Sequence, residues 1–97
     1  MSFTAKLIQS RPSTSVEFFS PTSELIARMD ELKVEGKIIS YDLNQISSDN
    51  LIKIMQITYD TADSHTTIIN ESVFINSANS RANHCAVNGI SFSVETE

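Results

Sequence analysis

Apolar and polar positions alternate along this chain with two different periods. The densest apolar run is Leu51–Asp60, LIKIMQITYD, rich in β-branched and aromatic residues. The turn-forming Ser47-Ser48-Asp49-Asn50 precedes it and a polar cluster from Thr61 to Thr67 follows. This spacing predicts a strand of ordinary length. Leu51, Met55, Ile57 and Tyr59 fall on one side of it and Ile52 and Ile54 on the other, so neither side is cleanly polar. A central strand, partly buried on both faces, is expected.

The same period of two recurs at both ends of the chain. Phe3, Ala5 and Leu7 alternate with Thr4 and Lys6, predicting a strand over 3–9. Ile90, Phe92 and Val94 alternate with Ser91, Ser93 and Glu95, predicting a last strand. Between Gly36 and the turn at 47–50, residues 37–46 return as a strand with Ile39, Tyr41 and Leu43 on one face. It forms a hairpin with the central run. Arg11–Ser15 is a polar loop interrupted by Pro12, which has no N–H for a ladder. Val16–Phe19 brings apolar bulk back as a short edge segment, or as a loop folded over the sheet.

Helical periodicity appears twice. Leu25, Met29 and Leu32, widened by Ile26, form one stripe. Ser20 as cap, Pro21 at the first helical position and Gly36 as a left-handed stop bound this helix at about 21–35. Phe74, Ala78, Ala82 and Cys85 form a second stripe over 71–87, ended by Asn88-Gly89. Asn76, Asn79, Ser80 and Asn83 are weak helix formers, so packing must hold this helix. Residues 61–69 read as a loop or a short helical turn, capped by Asp60 or Thr61, with Ala62, His65 and Ile69 sharing a face.

The order strand, helix, strand, strand, helix, strand predicts one α+β domain spanning residues 1–97. It is a ferredoxin-like βαββαβ sandwich, a four-stranded antiparallel sheet with two helices on one face. Two helices cover one face only. With apolar residues on both sides of the central strand, the open face or the edges are expected to bind a second copy, giving a homo-oligomer, a dimer in the simplest case.

Composition narrows the function. The net charge is −5, and the seven basic residues are scattered without a run, which argues against a phosphate-tracking, nucleic-acid-binding surface. No apolar run reaches the roughly 20 residues of a membrane span, and the N-terminus lacks a secretory apolar segment. A cytoplasmic location follows. The single cysteine excludes an internal disulfide.

The candidates for chemistry are few. His84 and Cys85 are adjacent and diverge by about 100° on a helix, so they do not chelate one ion together. Cys85 reads as a buried small hydrophobe, and His65 as a solvated residue at a helix start or in a loop. The carboxylate pairs Asp30/Glu31, Asp60/Asp63 and Glu95/Glu97 fit element ends rather than convergent acid–base work. With only Gly36 and Gly89, no phosphate-cradling loop exists. The Asn-Glu-Ser triplet at 70–72 matches a glycosylation acceptor without a secretory context. On these residues, no catalytic, cofactor-binding or metal-ligating position is assigned, and no cofactor is expected.

Two resemblances follow from longer stretches. Ser48-Asp49-Asn50-Leu51 leading into the apolar strand, with Asp60-Thr61-Ala62 opening a helical segment, resembles the dimeric α+β barrel superfamily, which includes antibiotic-biosynthesis monooxygenase-like domains. That resemblance implies a pocket between strand face and helix. The cofactor-free oxygenases of that superfamily use pocket Asn, Trp or His residues, and this chain has no tryptophan. KLIQSRPSTSVEFF, the hairpin and Asn88-Gly89-Ile90 resemble short proteins of tailed phages of marine cyanobacteria. This implies a phage protein in the infected host's cytoplasm or in the virion, with virion or host proteins as partners.

The leading expectation is therefore a non-enzymatic, self-associating structural or assembly component of a virion. The alternative is a small enzyme or ligand-binding protein of the dimeric α+β barrel type. An enclosed cavity holding Tyr41, Tyr59, His65 or His84 together favours the second reading; a space filled by Ile, Phe and Met excludes it.

Overall fold

The structure, a computed structural model, describes residues 1–97. Seven elements follow in the order β1 (Phe3–Ser10), α1 (Ser23–Val34), β2 (Ile38–Ile46), β3 (Ile52–Tyr59), α2 (Ala62–Ile68), α3 (Ser72–Asn88) and β4 (Ser91–Thr96). The strands form one antiparallel sheet in the order β2-β3-β1-β4. Each crossover therefore straddles one strand: α1 links β1 to β2 across β3, and α2–α3 link β3 to β4 across β1. This is the expected ferredoxin-like fold, with three helices where two were expected.

β3 is central because both its edges are paired, to β1 over Phe3–Ser10 and to β2. Its Lys53, Met55, Ile57 and Tyr59 are buried against the helices, beside Ala5 and Gln9 of β1. Met29 and Leu32 of α1 close the core from above. β2 departs from the expected alternation. Its pairing slips between Ile38 and Ser40, so Ile39 is an extra residue on a bulge and is 54% exposed. Ile38, not Ile39, is buried, and Tyr41 and Leu43 follow it on the helix side.

Local chemistry sets the helix ends. Thr22, not Ser20, caps α1; its Oγ1 accepts the Leu25 N–H at 3.3 Å, so the helix starts two residues later than Pro21 suggests. Gly36 follows with φ +79, the left-handed stop expected of it. The segment after β3 takes the helical option. Thr61 caps α2 by accepting from Ser64 N–H at 3.0 Å.

Residues 16–19 form no strand. Phe19 enters the helix-side core, and its N–H and carbonyl both bond to Gln9, at 2.8 and 3.1 Å. Gln9 is itself 0% exposed. Arg11 fixes the loop from the other side, donating to Val16 and Asn50 carbonyls while stacking over Phe18 at 4.1 Å. The loop thus packs against the helix layer rather than the open sheet face.

That open face is mixed. Met55, Ile57 and Tyr59 turn inward to the helices, leaving Ile52 and Ile54 of β3 with Ile8 of β1 as a central apolar strip. Thr4, Lys6, Thr58, Ser93 and Glu95 surround it on the same side of the sheet. The expectation of a broadly apolar second face is corrected to this strip. No helix is long and apolar enough to cross a membrane.

Candidate functional site

The inner face of α3 creates the main cavity. The side that meets the sheet carries Phe74, Ser77, Ala78, Arg81 and Cys85; Ala82, expected on that stripe, is exposed. Small residues stand where a core helix would carry Leu or Ile, and across from them β1 places the small Ala5 beside Leu7. The result is an unfilled pocket of about 350 Å³ between α2, α3 and the sheet. That lies at the small end of the roughly 300–1,000 Å³ typical of small-molecule sites. Leu7 and Ile57 line its floor, Phe74 and Ala78 its roof, and Ile69, Ile75 and Val94 bring exposed apolar atoms to its rim.

Tyr59 and His65 stand at one end of this pocket. The last residue of β3 and the middle of α2 are brought together by the tight Asp60-Thr61 turn. The His65 ring is held between two aromatics, 4.6 Å from Phe3 and 4.9 Å from Tyr59 in an edge-on arrangement. Burial alone moves both titrations. It pushes the Tyr59 phenol up to about 12 and lowers the His65 imidazole from its ordinary value. At neutral pH, Tyr59 is therefore a hydroxyl donor and His65 a neutral ring able to accept a proton. The expectation of a solvated His65 at a helix start is corrected: it sits mid-helix, half-buried, against the pocket.

Arg81 lines the pocket too, with Ser77 and Asn79 of the same helix. Its guanidinium lies 4.2 Å over the Phe92 ring, and its Nε is buried without a hydrogen-bond partner.

The other sequence candidates are placed elsewhere. Tyr41 donates its hydroxyl to Asp30 of α1 at 2.6 Å. His84 Nε2 bonds the Glu17 carbonyl at 2.8 Å and clamps the 11–19 loop. Cys85 is buried, and its thiol is pushed up by burial. Glu31 and Glu97 sit in ion pairs with Arg28 and Lys6, and Asp60 accepts from the Thr61 N–H. No group of three or more His, Cys, Asp or Glu side chains is arranged to hold a metal ion. Of the four residues that define the cavity test, the fold brings together Tyr59 and His65. Arg81 was missed because an arginine between Asn and Ser residues reads as surface; its spacing of seven from Phe74 and four from Cys85 was the available signal.

A second cleft, of about 270 Å³, lies between α1 and α2 and is lined by Arg28, Lys37, Asp63 and Glu71. Its charges are largely spent on each other: Arg28 binds Glu71 through Nε and Nη2 at 2.7 and 3.0 Å.

No protein-family model matches this sequence, and no curated protein is similar enough in sequence to count as a relative. Solved structures share its fold. A conserved protein of unknown function from Bacteroides thetaiotaomicron, described as a possible oxidoreductase, superposes with a TM-score of 0.64 at 12% identity, covering 99% of this chain and 95% of that one. A candidate antibiotic biosynthesis monooxygenase from Caulobacter crescentus gives 0.60 at 9% identity, covering 98% and 87%. A dimeric ferredoxin-like protein from an uncultured marine organism gives 0.59 at 8% identity, covering 99% and 92%. Two of these neighbours, named as a possible oxidoreductase and a monooxygenase, overturn the expectation of a non-enzymatic virion component; none of the three names points to a phage particle. What the chain shares with them is the ferredoxin-like fold of the antibiotic-biosynthesis monooxygenase-like proteins, along nearly its whole length.

Proposed function

We propose that this chain is a small homodimeric enzyme of the monooxygenase-like type, which binds a compact, ring-bearing substrate in the α2–α3 pocket and promotes its oxidation by dioxygen. One observation carries the reading. An open, mainly apolar pocket of about 350 Å³ is lined by both Tyr59 and His65, and burial pushes the Tyr59 phenol up to about 12 and the His65 imidazole down from its ordinary value. Perturbed titratable groups inside a concave apolar site are the usual mark of acid–base work. Neutral His65 accepts a proton from an acidic C–H or O–H of the substrate, and Tyr59 donates a hydrogen bond to the oxygen where negative charge then gathers. The electron-rich anion so formed is the species that dioxygen oxidises. The names of the solved neighbours support the reaction type, and the dimeric neighbour supports the pairing.

The test uses 1-naphthol, a compact neutral ring compound. Amide resonances of Ala5, Ile57, Tyr59, His65 and Ala78 are expected to shift saturably, and Ala78→Phe, which fills the space, is expected to abolish the shifts with the fold retained. Oxygen uptake above the protein-free rate is expected across a set of such phenols, falling at least about tenfold in His65→Ala. Binding without uptake removes the oxidation; shifts scattered away from the pocket remove the site.

A further inference from the structure

The seven basic residues of this acidic chain are not treated alike. Arg28 is surrounded by Glu31, Glu35 and Glu71, and Lys6 meets Glu97. Arg81, like Arg11, Lys33, Lys37 and Lys53, forms no ion pair; what sets it apart is its place in the wall of the pocket with a buried Nε. The one titratable group that acts on it electrostatically is the buried Cys85 thiol, a poor partner for a cation. Its Nε is sealed from water with no acceptor, and its plane rests on Phe92. A buried donor on a charged group without an acceptor is costly, and the cost is offset when an acceptor arrives.

A structural reading leaves the arginine as a lid whose stem covers apolar surface and whose plane stacks on an aromatic ring. That accounts for the Phe92 contact. It does not account for a cation at the wall of the most apolar pocket, with every carboxylate of the chain placed elsewhere. A methionine or leucine would stack there without the desolvation.

We infer that Arg81 is a specificity-determining residue that reads a carboxylate on the ligand, so that this pocket selects planar aromatic carboxylates over neutral rings of the same shape. The guanidinium fork matches a planar carboxylate through two parallel N–H bonds, and the apolar walls contributed by Leu7, Ile57 and Val94 take the ring. For that fork to form, the Nε edge turns out of its sealed position beside Phe92 toward the cavity. The inference rests on the proposed pocket function and names its substrate class.

The experiment compares 2-naphthoate with 2-naphthamide, which has the same shape without the charge, by calorimetry at neutral pH. Wild-type protein is expected to bind the naphthoate roughly ten- to a hundredfold more tightly than the amide. Arg81→Met is expected to weaken the naphthoate alone and bring the two within about twofold, and Arg81→Lys to restore part of the preference. Equal affinities in the wild-type protein overturn the inference while leaving the pocket reading intact; this comparison needs no variant and does not depend on one folding. Equal weakening of both probes by Arg81→Met overturns it as well, since a purely packing role predicts that. If neither probe binds or shifts pocket resonances, the pocket reading fails and takes this inference with it.

Discussion

At the residue scale, burial rather than a charged neighbour sets the chemistry of the site. His65 sits between Phe3 and Tyr59, and desolvation favours its neutral form. The unfolded chain then binds the proton more readily than the folded one, so the His65 contribution lowers stability as pH falls below the ordinary value of 6.5. NMR titration of the His65 ring carbons is expected to give a midpoint below 6.5, and Tyr59→Ala, which admits water beside the ring, is expected to move it back toward that value. A wild-type midpoint at or above 6.5 contradicts the burial argument. Gln9 shows the same principle with neutral groups. Fully buried in the sheet, it is tolerated because both ends of its amide are bonded to Phe19.

At the element scale, the Arg28–Glu71 pair ties α1 to the start of α3. Glu71 is the α3 N-cap but makes no side-chain cap bond; its carboxylate goes to Arg28 instead. The hydrogen bond from Arg28 holds the Glu71 carboxyl below its usual 4.5. A depressed carboxyl stabilises the fold above its unfolded value, and the contribution fades as pH falls through the folded one. Both side chains are about 30% exposed, so the effect is moderate. Arg28→Ala and Glu71→Gln are each expected to cost about 1 kcal/mol at pH 7 by chemical denaturation, with the double variant costing less than the sum. The gap between wild type and Glu71→Gln should shrink once pH drops well below 4.5. A gap that persists there assigns the loss to helix capping and not to the pair. The Arg28–Glu71 anchor holds α3 in place as a wall of the proposed site; the helix's own Asn-rich sequence favours helix weakly.

At the scale of the whole molecule, the proposed dimer is assigned to the open sheet face. That face carries an Ile8–Ile52–Ile54 strip with the cross-strand neighbours Lys6 and Glu95 beside it, so it offers both apolar and oppositely charged groups to a second copy, which an isologous dimer would pair about its two-fold axis. Light scattering at micromolar concentration is expected to give twice 10.8 kDa. Ile54→Lys, which places a charge in the strip, is expected to give a monomer with far-UV circular dichroism unchanged. A wild-type monomer, or a dimer indifferent to Ile54→Lys, places the interface elsewhere or removes it.

Periodicity alone determined the four strands, the two longer helices and their order, because a strand or helix with one buried side must repeat its apolar residues at two or at three to four. The stripe Leu25–Met29–Leu32, the central position of the Leu51–Asp60 run and the terminal strands were all legible for that reason. Bulges and caps were not. A single extra residue at Ile39 turns each following side chain to the other face, and Thr22 wins the cap from Ser20 through backbone geometry that composition does not encode. The site was the least legible part. Its pocket comes from small side chains on α3 and β1, distant in sequence, that fail to fill the space between them, and its polar groups from a tyrosine, a histidine and an arginine with no motif spacing. Only the packed chain brings Tyr59, His65 and Arg81 around one cavity, because which of them is desolvated depends on what lies across the gap.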